Sequence, residues 1–210
     1  MDNFYHSVRL DESLCKGCIN CIKRCPTEAI RVRGGKASIN NKFCIDCGEC
    51  IRVCPHHAKL ATYDKLDVMK KYKYTVALPA PSLYSQFNNL DDVNIVLNAL
   101  LLMGFDDVFD TLFSADLTII EEGTELLQRL QAVLTGGDAV LPMITSCSPG
   151  WIKHIEHQFP EELDHLSTCK SPHTMLGAVV KSFYAERTAT APENMFVVSV
   201  MPCTAKKYEI

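Results

Sequence analysis

The chain has 210 residues, 47% of them apolar, and a formal net charge of −4; that is enough apolar material to bury at least one core, which excludes a disordered segment and allows one or two domains. No window approaches about eighteen uninterrupted apolar residues, and the opening MDNFYHSVRL has no apolar run behind basic residues, so neither a membrane span nor a secretory leader is expected and the expected compartment is the cytoplasm. Residues 1–70 carry a balance of +4 and residues 71–210 one of −8; the basic excess lies on a cysteine-rich segment, where it offsets anionic thiolate sites, and does not point to nucleic acid.

Eight of the eleven cysteines fall in two short runs, a pattern that favours metal ligands over disulfides in a reducing compartment. The runs read Cys15-x-x-Cys18-x-x-Cys21-x-x-x-Cys25-Pro26 and Cys44-x-x-Cys47-x-x-Cys50-x-x-x-Cys54-Pro55. A cubane 4Fe-4S cluster needs four converging thiolates, and two intervening residues let successive thiols face one point. The proline after each run ends the short helix that precedes it. In this spacing the fourth cysteine of each run ligates the other cluster. Cys15, Cys18, Cys21 and Cys54 are therefore expected to hold one cluster, and Cys44, Cys47, Cys50 and Cys25 the second. Zinc sites also use paired thiolates, but usually separate two pairs by a longer loop. The repeat predicts a pseudo-twofold arrangement, with RVRGGKASI as a hairpin turning at Gly34-Gly35. Residues 5–62 resemble a bacterial ferredoxin with two 4Fe-4S clusters; the motif specifies the cofactor and leaves the redox partner open.

After the linker KLDVMKKYKY the pattern alternates strand and helix. YTVALP reads as a buried strand, and DDVNIVLNALLLMG as an apolar helix with Asp91 near its N-cap and Gly104 at its stop. DDVFDT reads as a short strand and ADLTIIEEGTELLQRLQAVL as a long amphipathic helix ended by Gly136-Gly137. AVLPMI followed by SCSPGWIKHIEHQF, and MFVVSVMP followed by CTAKKYE, repeat the strand-then-helix plan, which is α/β organisation. Ser148 suits an N-cap and Pro149 a first helical turn. Cys147 and Cys203 each stand where a strand gives way to a helix, the place where ligands of open α/β sheets gather, so the two thiols are expected to face one cavity with lowered pKa values.

FDTLFSADLTIIEEGTELLQR, TSCSPGW, LSTCKSPHTMLGA and MPCTAKKYE, in that order, resemble the catalytic domain of the iron-only (FeFe) hydrogenases, over about residues 75–210. The resemblance implies an α+β ferredoxin-like two-cluster domain over residues 1–70, followed by an α/β domain over residues 71–210 that is the amino-terminal part of the catalytic domain. It also implies interconversion of protons, electrons and molecular hydrogen at an H-cluster, a 4Fe-4S cubane joined to a two-iron unit. Electrons would come from a partner such as ferredoxin or a flavin- or NAD(P)-linked subunit. By position, Cys203 matches a cubane ligand, Met201 packs beside the two-iron unit and Lys206 donates a hydrogen bond to it. Cys147, Glu125, Ser167, Glu209 and Arg129 match the family's proton route. Burial is expected to raise the Glu125 and Glu209 carboxyl pKa values, with Arg129 restraining the rise.

Two departures accompany the resemblance. The family's TSCCPGW is here TSCSPGW, so Ser148 stands at a cubane-ligand position. Either Ser148 ligates as an alkoxide, or Cys147 gives up the shuttle role to ligate, or the cubane has three thiolates; a serinate is a poor soft-metal ligand. The family's third cysteine motif does not occur, and Cys169 in STCKSP reads as an ordinary packed thiol. The chain is therefore expected to be part of a longer hydrogenase. A hydrogen-sensing relative, a two-cluster electron carrier and a protein related to iron-sulfur assembly are the alternatives.

Overall fold

A computed structural model describes residues 5–87 and 92–210; the expected cap at Asp91 lies outside them. In chain order the strands are β1 (Val8–Leu10), β2 (Ile30–Arg33), β3 (Lys36–Ile39), β4 (Lys59–Ala61), β5 (Tyr74–Pro79), β6 (Asp107–Val108) and β7 (Met195–Val200). The α-helices are α1 (Asn20–Arg24), α2 (Glu49–Arg52), α3 (Asn94–Leu102), α4 (Leu112–Leu134), α5 (Pro149–Gln158), α6 (Pro172–Val179) and α7 (Ala185–Arg187), with a π-helical turn at Val180–Tyr184 between the last two. The described residues form two compact units. One takes the chain up to Tyr63 together with Ser148–Asp164 and Cys203–Ile210, and the other takes Asp64–Cys147 and His165–Pro202. Two segments beyond residue 71, α5 and the final turn, thus belong with the cysteine-rich stretch.

In the first unit β1 and β4 pair antiparallel, Val8 opposite Ala61 and Leu10 opposite Lys59, and β2 and β3 form the expected hairpin. Its turn residues Gly34 and Gly35 both have positive φ, 56° and 75°, as a two-residue turn matching the strand twist requires. Gly17, at φ 70°, is held to glycine by space as well, because a Cβ there would lie 2.5 Å from the Gly35 carbonyl oxygen. The sequence repeat reappears in the backbone. Gly17 and Asp46 stand two residues after the first cysteine of each run and share a positive φ, and so do Glu28 and His57, three after the last. Val8, Cys15, Cys21, Ile30, Ala37, Cys50 and Ala58 make the core. CTAKKYE forms a 3-10 turn, Thr204–Glu209, where an ordinary helix was expected.

In the second unit β5 is the central strand of a parallel sheet in the order β6-β5-β7, with Val76 opposite Val197 and Asp107. Val76 and Leu78 pack with Leu176, Val180 and Met195, while Ala77 packs with Leu100 and Phe105. Both faces of β5 are covered, which is why YTVALP reads as an unbroken apolar run. Gly104 at φ 104° and Gly136 at φ 79° stop α3 and α4 as expected. The expected strand AVLPMI does not form. Ile144 alone makes an isolated parallel bridge, to Leu166; Pro142, in the middle of the run, has no amide to give a ladder. Along α4 only Ser114 and Thr118 are buried, while Phe113, Ile119, Ile120 and Leu127 are 63–69% exposed. Among the described residues no helix is long and apolar enough to cross a membrane.

Candidate functional site

The first candidate site is a small pocket in the first unit, walled by Cys25, Cys44, Cys47 and Cys50 and by Val8, Ala29, Ile30 and Ile39. Three of these thiols come from the second run and the fourth from the first, the combination the spacing predicts for one cluster. α1 carries Cys21 and α2 carries Cys50, and each run ends with a sulfur held by a backbone amide. Ala29 N–H donates to Cys25 Sγ at 3.2 Å, and Ala58 N–H to Cys54 Sγ at 3.3 Å. Burial pushes the Cys44 thiol up to about 12 and Cys50 up to about 11, and also raises Cys47 and Cys21. Cys15 moves the other way, because the Gly17 and Ala37 amides bond its sulfur. Thiolates as buried as those of Cys44 and Cys50 need a metal in place of the proton, and amides on sulfur support ligation once it is bound. Four soft donors on one apolar cavity fit a 4Fe-4S cubane. Cys15, Cys21 and Cys54 share the core beside it, with Cys18 half-buried nearby in sequence.

A polar knot unforeseen in the sequence lies against this cavity. The Asp46 and Lys153 side chains are 0% and 1% exposed, and the Lys153 ammonium donates to the Asp46 carboxylate. It also donates to the Tyr5 carbonyl at 2.8 Å and stands 4.4 Å above the Tyr208 ring. Asp46 further accepts from Val8 N–H at 3.1 Å and faces His6 Nδ1 at 3.2 Å, while its carbonyl accepts from the Thr204 hydroxyl at 2.5 Å. Burial holds the His6 pKa below its ordinary value against the pull of Asp46. Thus α5, which begins within TSCSPGW, and the MPCTAKKYE turn are both tied to the loop between Cys44 and Cys47.

The second candidate site gathers Glu125, Arg129 and Ser167 in the second unit. Glu125 and Arg129 are one turn apart on α4, and Arg129 Nη2 and Nε donate to Glu125 Oε1 at 2.6 and 3.1 Å. The Ser167 hydroxyl donates to Oε2 at 2.9 Å, and the Thr168 amide and hydroxyl do so at 3.0 and 3.2 Å. Cys169 Sγ is 3.9 Å from the same oxygen, so this thiol, read as ordinary from the sequence, borders the acid. Arg129 is anchored to the Leu166 and Val140 carbonyls at 2.8 and 3.1 Å. The expected rise of the Glu125 pKa is corrected. Burial does push it up, but Arg129, Ser167 and Thr168 together outweigh burial, and the carboxyl lies below its ordinary value.

That shift has a measurable sign. A carboxyl whose folded pKa is depressed stabilises the fold above the unfolded value, and the contribution is lost as pH falls through the folded pKa. Glu125→Gln is expected to lower stability by roughly 1–3 kcal/mol at pH 7, in line with hydrogen bonds to a charged group. The gap to the parent chain should begin to narrow near the pKa of an ordinary glutamate, about 4.3, and go on closing as pH falls through the lower folded value. Urea denaturation of both proteins between pH 7 and pH 3 checks it; a gap independent of pH would contradict it.

Cys147 and Ser148 are exposed, and Ser148 stands at the α5 N-cap in extended conformation without a side-chain capping bond. Cys203 is exposed at the start of the final 3-10 turn, and Met201 is partly buried. Lys206 Nζ pairs with Glu209 at 3.0 Å in the first unit.

The family described as iron only hydrogenase large subunit, C-terminal domain, matches residues 73–210, and the 4Fe-4S dicluster domain matches residues 7–55. The NADP-reducing hydrogenase subunit HndD of Solidesulfovibrio fructosivorans is 38% identical over 206 residues, covering 96% of this chain and 32% of that protein. The periplasmic Fe hydrogenase large subunit of Nitratidesulfovibrio vulgaris is 41% identical over 219 residues, covering 97% and 51%. A solved FeFe-hydrogenase variant from Chlamydomonas reinhardtii superposes with a TM-score of 0.61 at 42% identity, covering 70% of this chain and 37% of that one. The chain therefore spans about a third of the length of the first of these curated relatives and about half of the second.

Proposed function

The chain belongs to the iron-only hydrogenase large-subunit family and carries a 4Fe-4S dicluster domain, and from that premise we propose that it serves reversible proton reduction to hydrogen, with two 4Fe-4S clusters passing electrons to an H-cluster in the complete enzyme. The observation that carries this reading is the cavity lined by Cys25, Cys44, Cys47 and Cys50, tied through Asp46 to both sequence motifs that resemble H-cluster loops. The H-cluster, when bound, would supply the chemistry of making and breaking the H–H bond of molecular hydrogen. Cys203 is the thiol here that would ligate its cubane, with Lys206 and Met201 beside it. Glu125, Ser167 and Arg129, already joined by hydrogen bonds, would hold and pass the proton, with Cys147 and Glu209 as the further members of the route. The exposed apolar face of α4 supports the packing of further polypeptide there in the full-length enzyme. Electron partners would be a ferredoxin or a flavin- or NAD(P)-linked subunit, and the two ligand-spaced cysteine runs fit a reducing compartment, the cytoplasm.

A two-cluster electron carrier is the second reading, favoured by the fact that all eight run cysteines lie in one unit. The two are separated by assaying hydrogen evolution from a low-potential donor with the full-length protein, matured with its cofactor. Hydrogen evolution is expected for the first reading. Intact 4Fe-4S signals without hydrogen would leave only the second.

A further inference from the structure

Aligned by their cysteines, the two runs set Cys25-Pro26-Thr27-Glu28-Ala29-Ile30 against Cys54-Pro55-His56-His57-Ala58-Lys59. Ala29 and Ala58 are equivalent and both buried. Ile30 is an ordinary core residue at 2% exposure, packed with Val8, Cys21 and Ala58. Lys59 takes the equivalent place, opposite Leu10 on β1, and is also only 2% exposed. Its ammonium has no hydrogen-bond partner among the described residues. An isolated ammonium in an apolar core costs several kcal/mol. Lys59 lies on β4, against which α2 with its Cys50 packs, and its repeat equivalent Ile30 shares one core with Cys15, Cys21 and Cys50. Cys15 and Cys21 belong to one expected ligand set and Cys50 to the other.

We infer that Lys59 is the internal counter-charge of the two iron-sulfur clusters, a positioning residue whose buried ammonium faces the sulfurs of both ligand sets and raises their reduction potentials. The inference rests on the two-cluster reading above. It explains why a lysine stands where the repeat has isoleucine: the anion that compensates it arrives with the metal. Reduction adds an electron to an already anionic group, so a cation nearby stabilises the reduced form more than the oxidised one. Buried from water, that preference is little screened. Net charge and hydrogen bonds to sulfur are the levers that set cluster potentials.

The test is a redox titration of the iron-loaded chain, followed by electron paramagnetic resonance, for the parent, Lys59→Met and Lys23→Met, the last removing an exposed lysine from α1. Lys59→Met should retain the parent iron content and lower the cluster potentials by tenfold or more in the one-electron equilibrium, about 59 mV. Lys23→Met should shift them far less. Equal small shifts in both variants would overturn the inference. If Lys59→Met takes up no iron, then loading of Lys59→Arg supports a requirement for charge, and failure of both overturns it. Absence of 4Fe-4S signals from the parent would instead refute the two-cluster reading itself.

Discussion

Lys153→Met is expected to lower the stability of the chain by roughly 3–5 kcal/mol, the cost of leaving one member of a buried ion pair without its partner. Asp46 has no exposed side-chain surface, and its remaining neighbours, the Val8 amide and His6, cannot replace the ammonium that donates directly to its carboxylate. Asp46→Asn should cost a similar amount by stranding Lys153, whose other contacts are the neutral Tyr5 carbonyl and the Tyr208 ring. Removing both charges should restore most of the loss, since well-packed apolar substitutes for a buried pair are often neutral. Glycine is the natural substitute at 46, where φ is 54° and where the repeat partner is Gly17. Urea midpoints of the singles and of the double variant Asp46→Gly with Lys153→Met give the coupling directly. If Lys153→Met unfolds at the parent midpoint, the pair does not hold α5 to the cluster loop.

What could be read from the sequence, and what could not, divides by the range of the interaction. The cysteine runs were legible because ligation spacing is local and the donor type is unmistakable. The Gly34-Gly35 turn and the buried strand β5 were legible because turn chemistry and apolar continuity act over a few residues. The pairing of Asp46 with Lys153, 107 residues apart, had no local signature. One indirect signal existed for both missed charges, since aligning the two runs sets Asp46 against Gly17 and Lys59 against Ile30. AVLPMI misled because its apolar content outweighed Pro142, which denies the segment a ladder. For Glu125, the Arg129 partner at one turn's distance was visible. The direction of the shift was not, because it depends on Ser167 and Thr168, brought in from 42 and 43 residues away. The exposed apolar residues of α4 show the reverse limit: periodicity marks a face without saying what covers it.

Cys25→Ala carries the other large effect, and its direction separates two ligand assignments. By proximity in sequence Cys25 would complete the set of Cys15, Cys18 and Cys21, and its loss would remove the first cluster. The structure places Cys25 on the wall shared with Cys44, Cys47 and Cys50, where its sulfur also receives the Ala29 amide. Cys25→Ala is therefore expected to abolish the second cluster and to leave about half the iron, in the signal of the first. Cys47→Ala and Cys18→Ala supply the reference spectra, because each lies inside its own run under either assignment. A Cys25→Ala spectrum matching Cys47→Ala supports the crossed set, and one matching Cys18→Ala overturns it. The crossed arrangement also makes a reciprocal demand: Cys54→Ala must remove the first cluster while leaving the second. Since each run then holds one corner of its neighbour's cubane, neither half of the repeat can complete a cluster alone, and the two α1 and α2 turns must be assembled before either site can be filled.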